Sequence, residues 1–191
     1  MIRAFIAIEI DAEMVRAIAR AITGLKSHLP GVRWVPETNI HLTLKFLGDI
    51  EEGKIAPIAE ALRRALHPFS CFAINAKGLG VFPGVNRPRV LWVGLAAAQL
   101  RSLATAIETA LEPIGFERET KAFKPHLTVG RWRRFDGSSK VLGQEIERWR
   151  EFDFGRFEVH EVVLFRSVLL PDGALYTPLE VAALAKSLAL K

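Results

Sequence analysis

The stretch "HLTL" occupies His41–Leu44, and "HLTV" occupies residues 126–129, 85 positions further along the chain. Side chains two positions apart on a β-strand point to the same face, so each stretch predicts a strand with His and Thr on one face and apolar residues on the other. The two stretches contain two of the five histidines in the 191-residue chain. We therefore expect the two motif strands to face one cleft.

The pattern around each motif strand is similar. An amphipathic helix and then a proline-containing turn precede each motif strand. Along the whole chain, the pattern predicts the order strand–helix–strand–helix–strand–strand–helix–strand, with further strands at the end. A weaker helix is predicted at residues 139–150, a loop at residues 78–88 and one long strand at residues 156–170. The pattern predicts a single bilobal α+β domain over residues 1–191, an internal duplication with one motif in each lobe.

Charge and cysteine content restrict the partners and the compartment. The net charge is +5, and residues 121–134 carry five basic side chains and no acidic one, interleaved with two aromatic residues: Lys121, Phe123, Lys124, Arg131, Trp132, Arg133 and Arg134. This stretch favours a polyanionic partner. Cys71 is the only cysteine, so an intrachain disulfide is excluded. The absence of a signal-peptide pattern and of a long apolar run predicts a cytoplasmic protein with no membrane segment.

Paired histidines suggest acid and base catalysis near neutral pH. One neutral imidazole can accept a proton from an attacking water or hydroxyl, while the other, protonated, delivers a proton to the departing oxygen. The hydroxyls of Thr43 and Thr128 can donate hydrogen bonds to phosphoryl oxygens. No third or fourth metal ligand lies within either motif, so we expect no metal and no cofactor.

Nearby cations are candidates for holding the same anion. Strict alternation places Lys45 on the His41 face and Phe46 in the core, so Lys45 is predicted to contact phosphate. On the second strand, alternation places Trp132 on the His126 face and sends Arg131 to the opposite side. A bulge at Gly130 would turn Arg131 back toward the phosphate.

The two motifs and their surroundings resemble the two-histidine (2H) phosphoesterase superfamily, and most closely its RNA 2′,3′-cyclic phosphodiesterases, historically called 2′–5′ RNA ligases. The resemblance spans nearly the whole chain, in four segments: "RAFIAIEI" at the start, "RWVPETNIHLTLKFLGD", "FKPHLTVGR" and "LFRSVL…DGALYTPL". It implies a bilobal, pseudo-twofold fold with antiparallel sheets lining a central cleft and helices outside. It also implies that the substrate is an RNA 3′ end carrying a 2′,3′-cyclic phosphate.

Residue roles follow from the same resemblance. His41 would be the proton donor to the leaving 3′ oxygen, and His126 the proton acceptor that activates water. Thr43, Thr128 and Arg131 would contact the phosphate. The product would be a 2′-phosphomonoester, and the family also joins RNA ends reversibly through a 2′–5′ bond without a nucleotide cofactor.

Two alternatives stay open at this stage. The first is a module of the same fold that binds a nucleotide or an RNA end without turning it over. The second is a 2H enzyme that acts on small cyclic phosphates. The basic stretch at residues 121–134 favours RNA, since several phosphates must be contacted along a strand. Nothing in the pattern requires more than a monomer.

Overall fold

Nine strands form one sheet in the part of the chain that our computed structural model describes, residues 1–171 and 173–186. The strands are β1 (Ile2–Glu9), β2 (Arg33–Trp34), β3 (His41–Ile50), β4 (Phe72–Phe82), β5 (Val90–Ala96), β6 (His126–Arg131), β7 (Asp153–Val159), β8 (Glu161–Leu170) and β9 (Gly173–Ala183). The helices are α1 (Ala12–Lys26), α2 (Ile55–Leu66), α3 (Gln99–Leu111) and α4 (Ser139–Arg148).

The two motif strands lie at the centre of this antiparallel sheet. The strand order is β7-β4-β5-β6-β3-β1-β8-β9, and the short β2 also pairs with β6. Strands β3 and β6 are joined by a single register pair, Leu42 with Leu127, so the two halves of the sheet meet along a narrow seam. The sheet is curled and two-lobed, which confirms the predicted α+β bilobal class. One continuous sheet lines both lobes.

The helices cover the face of the sheet that carries the main core. Helix α1 begins after Asp11, whose carboxylate accepts a 2.7 Å hydrogen bond from the backbone N–H of Met14, as expected for an N-cap. Its buried side chains follow one stripe, from Met14 through Ile18 and Ile22 to Leu25. Helices α2 and α3 pack against each other. Within the described residues, none of the helices combines the length and the apolar character needed to cross a bilayer.

Two sequence predictions about strands were wrong in detail. Strand β4 continues to Phe82, so the predicted loop at residues 78–88 begins later. Within this strand, Gly80 packs directly against the indole of Trp92 on β5. A Cβ at position 80 would collide with the indole, so only glycine fits there. The predicted strand at residues 156–170 is two strands, β7 and β8, separated at His160.

Each motif strand contains a β-bulge directly after its His-x-Thr segment. In the β1–β3 pairing, Ala7 opposes Thr43 and Ile6 opposes Lys45, which leaves Leu44 without a register partner. In the β5–β6 pairing, Trp92 opposes Thr128 and Leu91 opposes Gly130, which leaves Val129 without a register partner. A bulge inserts one extra residue and reverses the alternation beyond it. In both strands, the side chains beyond the bulge therefore point to the face opposite to the one that strict alternation predicts.

Candidate active site

The four motif side chains meet at the seam between the two lobes. Because β3 and β6 are antiparallel with Leu42 opposite Leu127, His41 and Thr128 occupy adjacent positions, as do Thr43 and His126. All four side chains are half-buried, whereas the residues between them are buried in the core. The two predicted histidines and the two predicted threonines are thus brought together on one face.

Both imidazoles are held through the same ring nitrogen. His41 Nδ1 lies 2.9 Å from the backbone oxygen of Asn39, and His126 Nδ1 lies 2.7 Å from that of Lys124. A carbonyl oxygen only accepts, so Nδ1 carries the proton in each contact and Nε2 is left for a substrate. The Asn39 side chain in turn donates a 2.8 Å hydrogen bond to the backbone oxygen of Ala174 on β9. This second bond fixes the segment that orients His41.

Aromatic rings surround both histidines. Tyr176 meets the His41 ring edge-on at 5.1 Å between centroids, and Phe82 meets the His126 ring in the same way, also at 5.1 Å. Phe5 lies 4.9 Å from the His41 ring and packs with Phe165 in a separate apolar cluster on the cleft side of β1 and β8. These aromatic residues were not predicted as site components. A signal was available for Phe5 alone, since the run of apolar residues on both faces of β1 indicates a strand covered on both sides.

Burial keeps both histidines neutral in the free protein. Loss of solvent is the main cause that lowers the pKa of His41 to about 4, against a smaller raising effect from its bond to Asn39. The same desolvation lowers the pKa of His126. The positive charge of Arg131 lowers both pKa values further, and the His126 imidazole adds to the effect on His41. At pH 7, each ring therefore has an unprotonated Nε2 that can accept a proton.

Arg131 faces the cleft because of the bulge in β6. Gly130 points to the core, where a Cβ would collide with Val32, so only glycine fits beside that side chain. Arg131, the next residue, is exposed on the other face, and its charge acts on His41 and His126. The expectation for Trp132 was wrong: its side chain is 6% exposed and belongs to the main core.

Lys45 does not face the cleft, which corrects the prediction of a phosphate contact. The bulge at Leu44 turns Lys45 to the helix side of the sheet, where it is 3% exposed. There its ammonium lies 2.6 Å from Glu108 Oε2 on α3 and also donates to the backbone oxygen of Glu117. Phe46, expected in the core, is 60% exposed instead.

A cavity of about 420 Å³ adjoins His41 at one end of the cleft. Phe165, Tyr176 and Pro178 form its apolar side, and Glu9, Arg16 and Glu37 are among its other lining residues. The described part of the chain contains no cluster of three or more His, Cys, Asp or Glu side chains that could hold a metal ion.

The sequence matches the model of LigT-like phosphoesterases twice, over residues 8–92 and 93–176. It is 36% identical to the RNA 2′,3′-cyclic phosphodiesterase of Archaeoglobus fulgidus, with 94% of this chain and 98% of the relative covered. It is 34% identical to the protein of the same name from Methanocaldococcus jannaschii, with 91% and 96% covered.

Solved structures agree with these relatives. A crystal structure from Thermus thermophilus superimposes with a TM-score of 0.83 at 28% identity and covers 97% of this chain and 99% of its own. LigT from E. coli, in complex with 3′-AMP, superimposes with a TM-score of 0.75 at 25% identity, with 97% and 99% covered. On the strength of both matches to the family model and of these relatives, the chain belongs to the LigT-like phosphoesterase family.

Proposed function

We propose that the protein is an RNA 2′,3′-cyclic phosphodiesterase, which hydrolyses a terminal cyclic phosphate to a 2′-phosphomonoester with two histidines and no metal ion. The observation that carries the proposal is the pair of imidazoles at the seam, each with Nδ1 bonded to a carbonyl and with no hydrogen bond to Nε2 from the described residues. A binding module needs no such pair. The names of the relatives support the same activity. The 3′-AMP bound to the E. coli protein supports only a site that accepts a nucleotide.

In the proposed reaction, His126 Nε2 accepts a proton from water as the water oxygen bonds to phosphorus. The bond between phosphorus and the ribose 3′ oxygen breaks, and His41 Nε2 delivers the proton that this oxygen requires. The product is a 2′-phosphomonoester with a free 3′ hydroxyl. Acid and base groups of this kind each contribute about 10²–10⁴-fold to the rate.

Binding of the anionic substrate favours uptake of a proton from solvent by His41, which the acid role requires. In the free protein His41 is neutral at pH 7, because desolvation lowers its pKa to about 4. A cyclic phosphate carries one negative charge, and an anion close to the ring favours the imidazolium form. Thr43 and Thr128 can donate their hydroxyl protons to the non-bridging oxygens, and Arg131 can bind the same oxygens through its guanidinium. Substrate binding therefore prepares His41 to act as the acid.

A 5′ hydroxyl in place of water would join two RNA ends by the same steps. His126 would accept the proton of that hydroxyl, and a 2′–5′ phosphodiester would form as the 3′ oxygen leaves. Cleavage of this bond would exchange the two roles. Because both motifs lie on one chain, a monomer suffices, and the single Cys71 suits the reducing cytoplasm in which we propose that it acts.

The direct test uses an RNA oligomer that ends in a 2′,3′-cyclic phosphate, incubated with the protein in excess EDTA and followed by phosphorus NMR. The expected product is the 2′-phosphate, with turnover lowered about 10²–10⁴-fold in His41→Ala and in His126→Ala. His160→Ala is the matched control, because His160 is exposed between β7 and β8, outside the cleft. Bound RNA without turnover would favour the binding module, and loss of activity in EDTA would contradict the metal-free scheme.

A further inference from the structure

A second arginine lies directly beside Arg131. The short strand β2 pairs with β6 so that Arg33 opposes Arg131 and Trp34 opposes Gly130. The backbone N–H of Val35 donates a 2.9 Å hydrogen bond to the oxygen of Val129, which fixes this register. Residues directly opposed in an antiparallel pair share one face of the sheet. Arg33 and Arg131 therefore project on the same side.

That side is the cleft side. The neighbouring position, Gly130, faces the core against Val32, so the next residue on β6, Arg131, points away from the core. The charge of Arg131 acts on His41, His126 and Tyr176, all of which border the cleft. Arg33 shares this face at the rim and is exposed.

The two guanidinium groups have no acidic partner within ion-pair distance among the described residues. Like charges directly opposed on neighbouring strands destabilise the pairing. Backbone hydrogen bonds hold the two arginines in register. An anion bound between or beside their side chains offsets the repulsion between the two positive charges. Guanidinium groups suit phosphate, because their planar N–H groups can donate two parallel hydrogen bonds.

The position of β2 decides which phosphate Arg33 can reach. Strand β5 occupies one edge of β6, so β2 and β3 share the other edge, and Arg33 lies on the His41 side of the cleft. In the proposed reaction, the ribose whose 3′ oxygen leaves must lie beside His41. The phosphodiester on the 5′ side is attached to that same ribose.

We propose that Arg33 binds the phosphodiester that precedes the terminal nucleotide, while Arg131 binds the reacting cyclic phosphate. The inference rests on the proposed function and deepens it, since it makes the substrate an oligonucleotide rather than a mononucleotide. Arg33 is a specificity-determining residue in this account, and it has no part in proton transfer.

Three substrates with the same terminal nucleoside test the inference: adenosine 2′,3′-cyclic phosphate, the dinucleotide ApA with a terminal cyclic phosphate, and that dinucleotide with a neutral methylphosphonate in place of its internal phosphodiester. We expect Arg33→Ala to lower kcat/KM for the charged dinucleotide about 3- to 10-fold through KM, with kcat unchanged. The other two substrates should be unaffected. Arg33→Lys should restore part of the loss, because it keeps the charge without the paired donors.

Arg20→Ala is the charge-matched control, because Arg20 is exposed on α1, on the face away from the buried stripe. It should leave all three substrates unchanged. An equal loss on all three substrates in Arg33→Ala, or no loss on any, would overturn the inference. Failure of the wild-type protein to hydrolyse any of the three would instead refute the proposed function, so the two failures are distinguishable.

Discussion

The buried pair between Lys45 and Glu108 gives a prediction that is independent of the proposed reaction. Lys45 is 3% exposed and Glu108 is 15% exposed, and their charged atoms lie 2.6 Å apart. Replacing Lys45 with Met keeps most of the side-chain volume and removes the charge. Glu108 is then left with one partner, the backbone N–H of Glu119 at 3.3 Å.

The expected loss in the free energy of unfolding follows from the burial of the Glu108 carboxylate, which is left without its cation. Breaking one side of a buried ion pair costs about 3–5 kcal/mol, and the partial exposure of Glu108 places the cost of Lys45→Met at about 3 kcal/mol. In a chain of this size, that loss lowers Tm by about 6–12 °C. Replacing both partners, in Lys45→Met/Glu108→Leu, should bring the free energy of unfolding back to within about 1 kcal/mol of the wild type, because no buried charge is left unpaired.

Urea unfolding followed by circular dichroism measures both effects. Lys77→Met is the matched control, because Lys77 and Glu151 are also 2.6 Å apart but are exposed, and this variant should unfold like the wild type. A wild-type midpoint for Lys45→Met, or a double variant as unstable as the sum of its single changes, would refute the reasoning. The first result would mean that Lys45 is solvated, as strict alternation had suggested.

Three further predictions concern the two histidines and the packing of β4 against β5. A substrate with sulfur in place of the leaving 3′ oxygen should restore activity to His41→Ala and leave His126→Ala inactive, because a thiolate leaves without a proton; rescue of His126→Ala instead would exchange the assigned roles. Gly80→Ala should cost about 1–3 kcal/mol in urea unfolding, because it displaces Trp92, whereas Gly53→Ala, which has nothing within 4 Å, should cost little; equal costs would contradict the close packing. The lowered pKa of His41 means that the unfolded chain binds more protons between pH 6.5 and about 4, so stability should decrease as the pH is lowered across this window. That decrease should be smaller in His41→Ala; identical slopes would show that His41 is solvated.

The sequence was sufficient to predict that the motif side chains share one face, because the repeated His-x-Thr phrase has the two-residue period of a strand. The period places both polar residues on one face, and the antiparallel seam then brings His41 beside Thr128. The internal duplication stays a prediction. The strand order is compatible with it, since the two motif strands lie side by side with matching bulges.

The errors came from those bulges. Alternation along a strand cannot indicate where an extra residue is inserted, and one insertion at Leu44 moves Lys45 from the cleft to the core and Phe46 from the core to solvent. In the second motif, Gly130 provided a signal, because a glycine inside a strand often marks a bulge. Leu44 carries no such signal. The second motif could therefore have served as a template for the first.

Long-range contacts explain what else the sequence could not predict. Phe5, Phe82 and Tyr176 lie on three different strands, and only the sheet order brings them to the two histidine rings. Arg33 was absent from the site prediction for the same reason, since its partner on β6 is 98 positions further along the chain. The available signal for Arg33 was its place in the segment that resembles the family, directly before the first motif.

The pH dependence of kcat/KM tests the paired-histidine account most directly. The proposed reaction requires one neutral and one protonated imidazole, and kcat/KM reports the titration of the free protein. Since the pKa of His41 is lowered to about 4 and that of His126 is also lowered, the rate should rise through pH 4, reach a maximum below pH 6.5 and then fall. The expected result is a bell-shaped pH–rate profile for the wild type, of which His41→Ala and His126→Ala each lose one side. A rate that rises steadily through pH 8 would contradict the account.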